Sequence, residues 1–281
     1  MEKIKITCDS TCDLTRELYE KNNVSVISLG VVLGEEERLD GVDISAEDIY
    51  DYVGRTGQLP KTSAISIGTY EDVFSGYVRD GYKVIHINIS SELSSSHRNA
   101  CLAAEEIGNV FCIDSRNLSS GSGHLVLTAA ELAAAGIPAE EIVEILNKKK
   151  EKLDVSFVLQ TLDYLHKGGR CSGVAAFGAN ALKLRPEILV SDGSMQVGKK
   201  YRGDMEKTVL AYIRGRLEGR DDVDTDRIFI THSGVPADIL SKARELVESL
   251  HTFKEVLITR AGSTITSHCG PNCLGVLFFK K

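Results

Sequence analysis

The sequence predicts an α/β fold made of two α/β domains. Three observations support this: the chain has 281 residues, it alternates strand-like and helix-like segments, and it contains one hairpin signal, Asp192-Gly193. The alternation in the first half is typical of βαβ units and of a parallel sheet. We therefore predict an N-terminal domain, 1–153, with a mostly parallel sheet and flanking helices, and a C-terminal domain, 154–281, with a mixed sheet and helices.

The predicted elements of the first domain follow from local composition. Strands are predicted where β-branched and apolar residues run together, at 4–7, 24–33, 83–89 and 110–114. Helices are predicted at 14–22, at 44–53, after Thr69, after the serines of 90–96, at 125–136 and at 139–153. Asp13, Ser45 and Thr69 are the predicted caps of the first three helices. Gly136 and Pro138 separate the last two.

The second domain is predicted by the same rules. Strands are expected at 155–161, 227–232, 255–260 and 273–279, and the hairpin pairs 185–191 with 194–203. Helices are expected at 205–217 and 236–250.

Composition excludes several classes of protein. Lys and Arg number 33 against 40 Asp and Glu, so the net charge is −7, which argues against non-specific binding of nucleic acid. No run approaches the roughly 20 apolar residues of a membrane span, and the charged N-terminus does not resemble a signal peptide. Seven scattered cysteines are not a disulfide framework and predict a reducing cytoplasm.

Familiar catalytic motifs are missing. The chain has no GxxxxGK[ST] phosphate loop and no GxSxG nucleophile elbow, and the GSGHLV segment at 121–126 has valine where a dinucleotide motif needs glycine. Cys8 and Cys12, and Cys269 and Cys273, have the wrong spacing for a CxxC redox motif. A zinc site built from both pairs is less favoured than buried structural cysteines. We expect no cofactor and no metal.

Hydroxyl side chains cluster where strands give way to helices. The clusters are Asp9-Ser10-Thr11, Thr62-Ser63 with Ser66, and the serines 90, 91, 94, 95 and 96. Ligands of open α/β sheets bind beyond the carboxyl ends of the strands, where helix N-termini favour anions. Hydroxyl and N–H donors hold a carboxylate without burying an opposing charge. The clusters are therefore either simple helix caps or a carboxylate site.

Seven segments, in order along the chain, resemble the motifs of the DegV family. They are ITCDSTCDL at 6–14, PKTSAIS at 60–66 (TSQPS in the family), INISSELSSS at 87–96 (SSxLSGT), CIDSRNLSSGSGHLV at 112–126, LQTLDYLHKGGRCS at 159–172 (TLEYLxKGGRI), LRPEILVSDGSMQVGKKYRG at 184–203 and SHCGPNCLGV at 267–276 (HxGPGxxG). The resemblance covers essentially the whole chain. This chain departs from the motifs at Ala64-Ile65, Ser95-Ser96, Cys171 and Asn272.

The resemblance implies a function. DegV-like proteins bind a long-chain fatty acid in a buried tunnel at or near the interface of two α/β domains. They act as lipid-binding carriers, not as enzymes on their own. They present the carboxylate to a separate fatty acid kinase, which forms an acyl phosphate for phospholipid synthesis. We expect no nucleic-acid partner and no stable membrane insertion, and transient membrane contact stays open.

The resemblance also implies roles for particular residues. Thr62, Ser94, Ser95 and His268 are the expected carboxylate-binding residues, and Arg202 is the expected contact for the partner or its phosphate. Ser63, Ser91 and Arg170 are possible supporting residues. The alternatives are that His268 is a core histidine, Arg202 a surface residue and Arg170 a structural one.

Two further points stay open from the sequence. The segments 125–136 and 173–184 are the predicted lining of the acyl tail, since small residues leave room for a chain, but they equally suit close helix packing. A serine-dependent acyl hydrolase or transferase using Ser94 and His268, or a lipid-sensing regulatory protein, is the alternative function.

Overall fold

The computed structural model describes residues 2–171 and 184–281. The elements of the first part are β1 Ile4–Asp9, α1 Arg16–Lys21, β2 Ser25–Ile27, β3 Gly30–Leu33, β4 Glu36–Leu39, α2 Ala46–Thr56, β5 Lys61–Ser63, α3 Ile67–Arg79, β6 Lys83–Asn88, α4 Ser96–Ile107, β7 Val110–Asp114, α5 Ser119–Ala134 and α6 Ala139–Lys149. Those of the second part are β8 Leu153–Val158, α7 Asp163–Gly168, β9 Arg185–Ser191, β10 Ser194–Tyr201, α8 Met205–Leu217, β11 Val223–His232, α9 Ala237–Leu250, β12 Glu255–Arg260, α10 Ser263–Cys269 and β13 Leu274–Lys280.

The N-terminal sheet is parallel, in the order β2-β1-β6-β7. Its two central strands, β1 and β6, are buried on both faces. Val84 packs with the aromatic side chains of α3, whereas Ile85 packs with the leucines of α5. The prediction of a parallel sheet flanked by helices is confirmed.

The C-terminal sheet is mixed, in the order β10-β9-β8-β13-β11-β12. Only β11 and β12 run parallel; the other neighbours are antiparallel. One face packs on α8 and α9, and the other contributes Phe229, Leu277 and Phe279 to the core around α5. Helix α5 is therefore the layer between the two sheets, and every residue from Ser119 to Ala130 is buried.

Several predicted boundaries are wrong. The run 24–33 is not one strand but two: β2 joins the parallel sheet and β3 joins a separate antiparallel sheet, β4-β3-β5, which the sequence did not predict. Helix α1 begins after Thr15, whose hydroxyl accepts the Leu18 N–H, so Asp13 is not its cap. Ser66, not Thr69, caps α3. The strand predicted at 155–161 runs from Leu153 to Val158.

Other predictions hold. Ser45 caps α2 in a capping box with Asp48, and the hairpin turns at Asp192-Gly193. The short helices α7 and α10 were not predicted, and α5 begins at Ser119 instead of 125. The domain boundary near residue 153 stays a prediction.

Among the helices within residues 2–171 and 184–281, none is both long and apolar enough to cross a lipid bilayer.

Candidate functional site

A cavity of about 230 Å³ lies between the N-terminal sheet, the small sheet and α10. Its polar side chains come from four segments: β5, the loop between β6 and α4, the residues after α7, and α10. The polar lining consists of Thr62, Ser63, Ser94, Ser95, Arg170, Thr264 and His268. The apolar lining includes Leu29, Ile89, Leu93, Leu118, Met195 and Ile265. The cavity thus combines a group of hydroxyl and imidazole donors with an apolar wall.

Thr62 and His268 meet at the polar part of the cavity. Thr62 Oγ1 and His268 Nε2 are 2.9 Å apart, although 206 positions separate them in the chain. Burial, together with the nearby Arg170 guanidinium, lowers the pKa of His268 to about 4, so the imidazole is neutral at pH 7. Its Nδ1 is buried and has no hydrogen-bond partner among the described residues.

Gly168 explains why Nδ1 is enclosed. A Cβ at this position would lie 2.6 Å from His268 Nδ1, so only glycine allows α7 to approach α10 this closely. Gly169, the next residue, ends α7 with φ of +69°. The two glycines of the KGGR segment therefore have different roles: one makes room for the histidine and the other turns the chain.

The serines on the other side of the cavity are joined to one another. Ser94 Oγ lies 3.0 Å from Ser96 Oγ and accepts the Ser96 N–H at 3.2 Å. Ser95 precedes the first residue of α4, and its side chain makes no cap hydrogen bond. The serines line the start of α4, where free N–H groups favour a negative ligand.

Comparison with known proteins identifies the family. The family model described as "Uncharacterised protein, DegV family" matches residues 3–281. A DegV domain-containing protein of Clostridium perfringens is 32% identical over 283 residues, covering 100% of both chains. The chain belongs to the DegV family.

Solved DegV structures share the fold. A DegV family protein from Thermus thermophilus, described as binding fatty acid, has a TM-score of 0.88 and 29% identity, covering 99% of this chain and 100% of its own. A protein from Eubacterium ventriosum, described as binding stearic acid, has a TM-score of 0.87 and 27% identity, covering 100% and 99%. The match extends over the whole of each chain.

Two departures from the DegV motifs have a structural explanation. Ser95 stands where the motif has glycine, and its φ is −76°, an ordinary helical value, so the backbone here does not require glycine. Asn272 stands for the second glycine of HxGPGxxG and has φ of +55°. Asparagine is one of the few side chains that tolerate this left-handed conformation.

A buried polar network beneath the serines was not predicted. Asp9, at the end of β1, accepts the Tyr70 O–H at 2.9 Å and the Ile89 N–H at 2.8 Å. Tyr70 also hydrogen-bonds Ser96, the partner of Ser94. Asp9 of the DS motif thus holds the backbone at Ile89, just before the serines 90–96. Asp9 lies beneath the cavity and does not line it.

Two aspartates anchor the helix that carries His268. Asp13 accepts the Gly262 N–H and Asp40 accepts the Ser263 N–H, both at 2.8 Å, at the start of α10. Burial, with a further contribution from the Asp40 charge, raises the pKa of Asp13 to about 8. These contacts bind the first forty residues of the chain to the last twenty, and they set the position of α10.

The structure separates the remaining predicted residues into two groups. Ser63 and Arg170 line the cavity; the Ser63 hydroxyl donates to Glu37, and the Arg170 guanidinium donates to the Gly168 carbonyl at 2.7 Å. Ser91 and Arg202 are exposed and lie outside the lining; Ser91 donates to Asp114 at 2.6 Å.

The geometry also bears on the hydrolase hypothesis. Ser94 and His268 line the same cavity, but Ser94 bonds Ser96 and His268 bonds Thr62. A general base must lie within hydrogen-bond reach of its nucleophile. No observation therefore favours a Ser-His nucleophile here.

A second, smaller cavity adjoins the apolar end of the first. The two share Leu118, Ile265 and Cys269, and the second, of about 30 Å³, lies against the paired strands β8 and β13, with Phe157 and Leu277 in its lining. Residues 125–136, predicted to line the acyl tail, lie outside both linings; α5 contributes only Ser119, at its start, with Leu118 just before it. The other predicted segment, 173–184, lies outside the described residues except for Leu184.

The cysteine pairs at the two ends of the chain do not form one cluster. All four are buried; Cys12 contacts Cys8, and Cys273 contacts Cys269. In the described part of the chain no group of three or more candidate ligands could hold a metal ion.

Proposed function

We propose that this protein binds one long-chain fatty acid, with the carboxylate at Thr62, Ser94, Ser95 and His268 and the acyl tail between the two sheets. The observation that carries the proposal is the cavity itself, which has donors on one side and an apolar wall on the other. Membership in the DegV family supports it, because the relatives from Thermus thermophilus and Eubacterium ventriosum are described as fatty acid-binding.

The hydrogen-bond directions suit an anionic head group. A carboxylate only accepts, so each group that contacts it must donate. If the neutral His268 carries its proton on Nε2, this N–H donates to Thr62 Oγ1 and leaves the Thr62 hydroxyl proton for the ligand. Ser94 accepts the Ser96 N–H and shares a hydrogen bond with the Ser96 hydroxyl; when Ser96 is the donor of that bond, the Ser94 hydroxyl proton is available to the ligand. His268 then acts by orienting the threonine.

The tail accounts for most of the affinity. Each buried methylene gains about 0.8 kcal/mol, so a chain of a dozen or more carbons outweighs a few hydrogen bonds. The route suggested by the two cavities runs past Leu118, Ile265 and Cys269 toward Phe157. A cavity of this size must widen to accept a full chain, and Met195, in its lining, is a flexible side chain suited to such movement.

We further propose that the bound carboxylate is presented to a separate fatty acid kinase in the cytoplasm. Arg170 and Arg202 are both exposed, and arginine suits the phosphate or the acidic surface of a partner. The chain lacks a phosphate-binding loop, so the ATP chemistry is assigned to the partner. A reducing compartment suits seven cysteines that are all free.

The test of fatty-acid binding is a titration combined with native mass spectrometry. Thr62→Val removes a hydrogen bond to a charged group, which costs roughly 1.5–3 kcal/mol, or about a ten- to hundredfold loss of affinity. Thr252→Val, at an exposed threonine outside the cavity, is the matched control and should bind normally. Equal affinity in wild type and in the Thr62→Val, Ser94→Ala double variant would remove both residues from the site.

The partner proposal needs a separate assay. With a cognate kinase and ATP supplied, the Arg202→Ala protein should keep its bound fatty acid but lose most acyl-phosphate formation. Arg244→Ala, at an exposed arginine of α9, is the matched control and should behave as wild type. His268→Ala should impair the coupled reaction with a smaller effect on binding than Thr62→Val. Without the kinase, the chain should consume no ATP. Normal turnover by Arg202→Ala would place the partner surface elsewhere.

A further inference from the structure

Helix α4 and strand β7 bring two thiols and an imidazole together outside the cavity. Cys101 and His97 are one turn apart on α4, and the thiol of Cys101 hydrogen-bonds that of Cys112 on β7. None of the three lines the cavity. We propose that Cys101 and Cys112 form a redox-sensitive pair, in which hydrogen peroxide oxidises Cys101 and Cys112 then closes a disulfide.

The contacts of His97 indicate which ring nitrogen serves the sulfur. Its Nδ1 lies 3.1 Å from Asn88 Oδ1 and 4.0 Å from Cys101 Sγ, whereas its Nε2 lies closer to that sulfur, at 3.6 Å. The Asn88 amide nitrogen donates to Asp9, so the oxygen of the amide must point toward His97. An amide oxygen only accepts, so Nδ1 carries a proton and Nε2 is left to take the proton of the thiol.

This arrangement activates one thiol of the pair. A nucleophile, a base within reach of it and a third group that orients the base are the parts of an activated cysteine. The hydrogen bonds from Cys112 and His97 lower the pKa of Cys101 to about 5, while the pKa of Cys112 is raised by its hydrogen bond to Cys101 and by burial. Cys101 is thus the thiolate that attacks peroxide, and Cys112 stays protonated until it resolves the product.

Accessibility distinguishes this pair from the other cysteines, all of which are described. Cys101 and Cys112 are partly exposed, whereas Cys8, Cys12, Cys171, Cys269 and Cys273 are buried. Burial raises the pKa of Cys12 and contributes to the raised pKa of Cys273. The contacting pairs Cys8–Cys12 and Cys269–Cys273 therefore serve as internal controls, since they match the proposed pair in proximity but not in exposure or activation.

The chemistry balances with one peroxide. The Cys101 thiolate attacks one oxygen, the O–O bond breaks, and the departing hydroxide takes the proton held on His97 to leave as water. This leaves a sulfenic acid. The sulfur of Cys112 then attacks Cys101 Sγ, the S–O bond breaks, and the hydroxide leaves with the Cys112 proton as a second water. Two thiols are oxidised and one peroxide is reduced to two waters.

The full-length protein offers a direct readout. No lysine or arginine occurs between Arg98 and Arg116, so trypsin releases both cysteines on one peptide, 99–116. After treatment with equimolar hydrogen peroxide and alkylation, this peptide should lose the mass of two hydrogens and take up no alkylating reagent. The peptides with the two control pairs should remain fully alkylated. Free thiols on 99–116, or oxidation of a control pair first, would overturn the proposal.

Variants separate the roles of the two cysteines and the histidine. Cys112→Ser should trap the sulfenic acid on Cys101, which reacts with dimedone, whereas Cys101→Ser should leave Cys112 reduced. At pH 6, His97→Gln should slow alkylation of Cys101 by iodoacetamide about tenfold or more, because the thiolate is lost. Melting curves of each variant establish that it is folded. Equal alkylation rates in wild type and His97→Gln would exclude activation by the histidine.

Discussion

Gly168 lies at the end of α7, against the imidazole of His268, and this contact can be tested by adding a single methyl group. Alanine is favoured over glycine in helices by up to about 1 kcal/mol, so Gly168→Ala would by itself stabilise α7. The added Cβ, however, would lie 2.6 Å from His268 Nδ1. Crowding of this kind in a packed region costs about 1–3 kcal/mol.

The expected result is therefore a different effect in two backgrounds. In the wild type Gly168→Ala should be neutral or should lower the free energy of unfolding by up to about 3 kcal/mol, whereas in His268→Ala it should be neutral or stabilising, a coupling of about 1–3 kcal/mol. Displacing the imidazole also weakens its bond to Thr62, 2.9 Å long in this structure, and fatty-acid affinity should fall about two- to tenfold.

The assay is urea unfolding of the four lipid-free proteins of the cycle, followed by a binding titration. Gly169→Ala is the matched control, because nothing lies within 4 Å of a Cβ there and its φ of +69° imposes a strain that His268 cannot relieve. Its effect should be the same with and without His268. If Gly168→Ala has the same effect in both backgrounds, the two residues do not interact and the packing argument is refuted.

Three further variants test the surroundings of the site. Because the pKa of Asp13 is raised to about 8, the folded state holds a proton that the unfolded state releases above about pH 4. The free energy of unfolding should therefore fall as the pH rises from about 4 to about 8. Asp13→Asn should flatten this pH dependence, which urea midpoints measured at about pH 5 and about pH 8 would show. Gly270→Ala forces a side chain into φ of +71° and against the Tyr164 ring at 2.6 Å, so it should cost more than about 2 kcal/mol of unfolding free energy. Tyr70→Phe removes a donor from buried Asp9 and should cost about 1–3 kcal/mol, and an unchanged midpoint would show that the hydroxyl contributes nothing.

Much of the fold could be predicted because strand and helix periods are strong local signals. The boundary errors occur where local signals are ambiguous. The run 24–33 is mostly apolar, and its two serines and one glycine do not by themselves show that the chain passes at Leu29 from one sheet to another. Helix α10 is short and rich in serine and threonine, and its N-terminus is held by Asp13 and Asp40 from the far end of the chain. No local pattern predicts such a helix.

The candidate site could also be predicted only where local sequence patterns indicate it. The hydroxyl clusters predicted either helix caps or a carboxylate site, and the structure brings Thr62, Ser94 and Ser95 to one cavity. The link between Gly168 and His268 could not be predicted, since the two residues are far apart in the chain and only the packing of α7 on α10 joins them. Ser91 is a possible supporting residue of the site by its sequence, but its hydroxyl donates to Asp114.

The position of α5 between the two sheets determines how a ligand could move in and out. From Ser119 to Ala130 this helix has no solvent-facing side, since one sheet covers it on each flank. Separating the two sheets would expose the buried side chains of α5 to water. The free-energy cost of that exposure is far above the cost of moving a few side chains. A fatty acid bound as proposed would therefore exchange through movements of lining side chains such as the exposed Arg170, while the two sheets stay joined.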